Sequence, residues 1–113
     1  MVVLITESNE LRQRFIDRFE VLAMPLMVTT PRMINACFQQ FVPERIFVDA
    51  SICTPGLIRW LDQCDDAEII LIANSRGSIR HAPRSAIMYI HPSLEPEDIM
   101  PLLPLRQDAN SAA

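Results

Sequence analysis

Arg45-Ile46-Phe47-Val48-Asp49 is a run of β-forming residues that opens on an arginine and stops on a carboxylate. Its three apolar side chains stand in a row with no polar alternation, the pattern of a strand covered on both faces, as strands of parallel sheets are. In such sheets, ligands and reacting groups gather beyond the carboxyl ends of the strands. Asp49 sits at that end and is the first candidate for chemistry.

Working outward, the same alternation of strand and helix recurs on both sides. Toward the N-terminus, Pro43 closes a helical pattern of Ile34, Cys37, Phe38 and Phe41, with Thr30 as its expected cap and Pro31 in its first turn. Leu26 to Thr30 reads as the strand before it, preceded by the break at Pro25. Leu11, Phe15, Phe19 and Leu22 recur at helical spacing and predict an amphipathic helix capped by Ser8 or Asn9. Val2 to Thr6 is again a continuous apolar strand. Toward the C-terminus, Thr54-Pro55 opens a helix with Leu57, Ile58, Leu61 and Cys64 on its apolar face, closed by Asp65-Asp66. Ile69 to Ala73 is the most apolar run and the expected centre of a sheet. Residues 74–85 contain Gly77, Pro83 and three arginines and predict a short or irregular fourth helix. Ile87 to Ile90 is a fifth strand ending in His91-Pro92, and Glu95 to Leu103 a fifth helix, which Pro101 bends or shortens. Five strands alternating with helices through short loops predict an α/β domain over residues 1–105 with a flexible tail over 106–113. The expected architecture is three-layer, doubly wound and flavodoxin-like: five parallel strands in the order 2-1-3-4-5.

Composition narrows the function classes. The chain has 113 residues, enough for one ordinary domain, and half of them are hydrophobic. A net charge of −4 argues against direct binding of nucleic acid, which needs a basic face. Every basic residue is arginine, so no chemistry can rely on a lysine ammonium. Cys37, Cys53 and Cys64 have neither Cys-x-x-Cys nor zinc-site spacing and suit a reducing cytoplasm. The apolar start stops at Thr6-Glu7, too short for a signal peptide, and no later run approaches a membrane span. With Gly56 and Gly77 as the only glycines there is no phosphate-cradling loop and no Gly-x-Ser-x-Gly elbow.

In the expected strand order the carboxyl ends of strands 1, 3, 4 and 5 bring Glu7, Asp49, Asn74 and His91 to one rim. Carboxylates and a carboxamide are oxygen donors of the kind that hold Mg²⁺, and a carboxylate can accept a phosphoryl group. Each residue also has a plainer role. Asp49 can cap a turn, Glu7 can complement the dipole of the helix it precedes, and His91 can be a loop residue. Trp60, off the main apolar stripe of its helix, can anchor a partner or cover the domain edge. Arg76, Arg80 and Arg84 read most simply as a solvated face.

The layout from Val2 to Leu103, with Asp49 closing strand 3 and His91-Pro92 closing strand 5, resembles the receiver domain of two-component response regulators. The resemblance implies that Asp49 is the phosphoacceptor for a histidine kinase and that Glu7, with Asp49, holds Mg²⁺. Position by position, Thr6 stands where a second acid is expected. Ala73 stands at the hydroxyl position, with Asn74 or Ser75 as partial substitutes. His91 stands at the lysine position, and Pro92 keeps the proline. Met88 takes the place of the switch aromatic, with Tyr89 one residue away. The loop Ala50 to Gly56 lacks the family's Met-Pro pair. Phosphoryl transfer to a carboxylate draws on Mg²⁺ and a fixed cation, so the losses favour an atypical receiver that is not an enzyme and acts by protein–protein interaction or dimerisation. A working phosphoacceptor is the alternative, and an unrelated small-molecule binder on the same fold a third. The expected contact face for partners or a homodimer spans 76–103, where Arg76, Arg80 and Arg84 lie near Glu95, Glu97 and Asp98.

Overall fold

A computed structural model describes residues 2–39, 42–64, 66–75, 79, 82–83 and 86–93. The strands are β1 Val2–Ile5, β2 Leu26–Thr29, β3 Arg45–Asp49, β4 Glu68–Ile72 and β5 Ala86–Ile90. The helices are α1 Asn9–Val21, α2 Ile34–Phe38 and α3 Pro55–Asp62, with one 3-10 turn over Ala50–Ile52. All strand pairs are parallel and the order is β2-β1-β3-β4-β5. This is the flavodoxin-like α/β sheet expected from the sequence.

Strand alternation sorts the core into two layers. Val2, Leu4, Phe47, Ile70, Ile72 and Ile90 point to one face, where Leu11, Phe15 and Phe19 of α1 cover them. Phe15 stacks on Phe19 and meets Phe47 edge-on at 5.1 Å. Val3, Ile5, Ile46, Val48, Ile69 and Leu71 point to the other, under Ile34 of α2 and Leu57 and Leu61 of α3. The apolar runs lack alternation because both faces of the sheet are buried.

Local chemistry sets most boundaries. The Ser8 hydroxyl accepts the Leu11 amide and starts α1; Thr54 does the same for Leu57, with Pro55 in the first turn of α3. Helix α2 departs from expectation. The Thr30 carbonyl accepts the Met33 amide and closes a turn over Thr30–Met33, so α2 begins at Ile34 with no side-chain cap. It ends at Phe38, ahead of Pro43. Helix α3 likewise stops at Asp62, before Asp65-Asp66, as the Gln63 and Cys64 amides turn back to the Trp60 and Leu61 carbonyls. Trp60 covers the domain edge: its indole N–H donates to Asn35 Oδ1 at 3.0 Å and its ring packs on Phe38 at 4.7 Å. Ala23 closes α1 with φ 54°, in the left-handed region.

At the amino end of the sheet, Arg45 and Glu68 are register partners on β3 and β4, both buried, with Nε and Oε2 3.6 Å apart. Most of the expected fourth helix, the whole of the fifth, the tail and the boundary at residue 105 lie outside the described residues. No helix among the described residues is long and apolar enough to cross a membrane.

Candidate functional site

Ile5 pairs with Val48, so the next step along each strand sets Thr6 beside Asp49 at the switch between β1 and β3. The Thr6 hydroxyl donates to Asp49 Oδ2 at 3.0 Å. Asp49 Oδ1 accepts from the Ser51 amide at 3.0 Å and the Ser51 hydroxyl at 2.7 Å. Asp49 is thus the cap of the 3-10 turn, an Asx-type arrangement in which a carboxylate takes the amide two residues on. Thr6 is itself buried and also accepts the Ser8 amide, linking this carboxylate to the start of α1.

A cleft of about 460 Å³ opens beside Asp49. Ser8, Glu10, Leu11 and Arg14 of the α1 region form one wall; Asp49 to Ser51, Ile72 to Asn74 and Pro92 form the rest. The Arg14 guanidinium donates to the Pro92 and Ser93 carbonyls, tying α1 to the segment after β5. Asp49 and Asn74 share this cleft, whereas Glu7 and His91 are exposed on the same rim and outside its lining. His91 turns back on its own loop: Nδ1 accepts the Ser93 amide at 3.1 Å and lies 2.7 Å from the Ser93 hydroxyl. That arrangement leaves the proton of a neutral His91 ring on Nε2.

Mg²⁺ takes an octahedral shell of oxygens and is usually held by one or two carboxylates; Asp49 and Glu10 line the cleft, whereas Glu7, the expected partner acid, lies outside it. Here both oxygens of Asp49 already accept hydrogen bonds from protein donors. Among the described residues no three His, Cys, Asp or Glu side chains converge on one point.

Cys53 lies one turn past Asp49, its Sγ 4.0 Å from the Asp49 carbonyl oxygen. Burial, and then the Asp49 charge, push its thiol from 9.0 up to about 11. It is a protonated, weakly nucleophilic thiol at neutral pH.

Sequence reasoning found Asp49 and Asn74 and missed Thr6, Ser51 and Arg14 as their companions. Ser51 had a signal, since Asp-x-Ser after a strand is a capping pattern. Thr6 needed the β1–β3 register, and Arg14 had no local sign. No family model, curated protein or solved structure matches the chain.

Proposed function

We propose that this chain is an atypical receiver-like signalling domain, similar in plan to those of two-component response regulators, that acts in the cytoplasm by binding protein partners and takes up little or no phosphate on Asp49. The observation that carries the reading is the state of Asp49. It ends β3 beside β1, and both its oxygens accept hydrogen bonds, from Thr6 and Ser51. His91 folds into its own turn instead of reaching the cleft. The lysine position therefore brings no fixed cation to incoming phosphoryl oxygens. The 76–103 face, largely outside the described residues, stays the proposed surface for a partner protein.

Incubation with a small phosphodonor and Mg²⁺, followed by intact mass, tests this. The expected result is no phosphoryl adduct. An adduct that disappears in Asp49→Asn would replace the reading with the alternative, a receiver phosphorylated on Asp49 by a histidine kinase.

A further inference from the structure

We infer that the free edge of β2 is a pairing surface for a second copy of this chain, joining two five-stranded sheets into one through antiparallel β2–β2 contact. Among the described residues β2 is the outer strand, bonded only to β1. The Thr29 carbonyl accepts the Thr6 amide, so Thr29 faces β1. Backbone direction alternates along a strand, which puts Met27 inward too and aims the amide and carbonyl of Leu26 and Val28 away from the sheet. Their side chains are held down by the core under α1, while Met27 is held by the core on the opposite face. The strand is therefore fixed on both faces and open only along its backbone.

Charge selects the occupant. No ionisable side chain occurs from Val21 to Pro31. Sheet edges are ordinarily guarded by charges, prolines or bulges, and β2 has none within it. In a protein of net charge −4, this neutral stripe is where two copies meet with least repulsion. It offers no charge to select a different, charged peptide. Val21 and Met33, the exposed large apolar residues that flank β2 in sequence, are 75% and 54% exposed. A two-fold axis at Met27 sets Leu26 opposite Val28 of the second copy and the reverse. Each pair exchanges both of its N–H···O bonds, so all four outward amide and carbonyl sets are satisfied at once. The inference does not rest on the signalling reading, because the edge stays the same whether or not Asp49 takes phosphate. It also leaves the β5 side of the sheet clear.

Sedimentation equilibrium from about 10 µM to about 1 mM is the test, a span that captures a small interface. The mass should rise toward that of a dimer. Val28→Pro removes an outward N–H without touching the β1–β2 ladder and should stay folded by circular dichroism and monomeric. Hydrogen exchange on the unaltered protein is the second measurement. The Leu26 and Val28 amides should gain about tenfold or more protection at the dimeric end of the range. Three results would overturn the inference: a monomer throughout, a dimer retained by folded Val28→Pro, or a dimer whose Leu26 and Val28 amides exchange as fast as in the monomer. Monomers that bind only an unrelated extended peptide at this edge would overturn the second copy as occupant.

Discussion

Asp49, Thr6, Ser51 and Cys53 form one connected patch in which a carboxylate accepts hydrogen bonds from two hydroxyls and an amide and its charge depresses the acidity of a thiol. The thiol offers a readout. Its acidity is shifted from 9.0 to about 11 by burial first and the Asp49 charge second. Alkylation of Cys53, followed by peptide mass mapping, should be slower in the folded protein than in denaturant at pH 8. It should quicken about tenfold per pH unit until about pH 11, since only the thiolate reacts. The stability linkage has a definite sign. The folded pKa lies above the unfolded one, so the Cys53 contribution is complete below about pH 9 and is lost as pH rises through about 11. Asp49→Asn should lower the thiol pKa in part, because burial remains. At this scale the sequence exposed Asp49 clearly, because an acid ending an apolar strand is visible in one dimension. Thr6 was visible as a residue but not as a hydrogen-bond donor to Asp49. That role follows only once β1 and β3 are neighbours in register. Arg14 bonds a segment 78 residues away, a distance no local pattern reports.

Helices α1 and α2 show two ways of ending and starting badly and still being held. Ala23 adopts φ 54°, which costs an L-residue with a Cβ roughly 1 kcal/mol that glycine avoids. Ala23→Gly should therefore raise the urea midpoint, by about 0.5–1 kcal/mol of stability, with an unchanged m-value. A lower midpoint would mean that the greater freedom of glycine in the unfolded chain outweighs the strain. Helix α2 has five residues and no side-chain cap, too short to persist alone. Its hold comes from Ile34 in the core and from Trp60, which bonds Asn35 and packs on Phe38. This explains which elements were legible. Long, capped, periodic segments such as α1 and α3 announced their beginnings through Ser8 and Thr54. Pro31 after Thr30 carried the same signal, but the Thr30 carbonyl spent itself on a turn to Met33, and tertiary packing rather than capping fixed α2.

Across the whole molecule, the parallel sheet separates two kinds of polar burial. The carboxyl ends hold Asp49 with three short, satisfied hydrogen bonds, whereas the amino ends hold Arg45 and Glu68 loosely: Arg45 Nη2 and Glu68 Oε2 have no hydrogen-bond partner. Removing one member of a buried pair strands the other charge, so Glu68→Ala should cost about 3–5 kcal/mol in chemical denaturation. The double change Arg45→Met with Glu68→Leu should recover most of that loss or exceed the parent stability. A double change as damaging as the single one would show that the pair is worth more than its desolvation. The sheet order was legible because strand count, short loops and crossover handedness leave few alternatives. The buried pair was not, since an arginine and a glutamate at strand starts look like ordinary surface charges until the register sets them side by side. The position of β1 in that order also bears on how the protein is made. β1 leaves the ribosome before β2 and β3 yet sits between them, and Val2 pairs with both Leu26 and Arg45. A nascent chain that has not yet emerged as far as Asp49 carries the apolar β1 with one side open. That interval, rather than any state of the finished protein, is when chaperones would have most to shield.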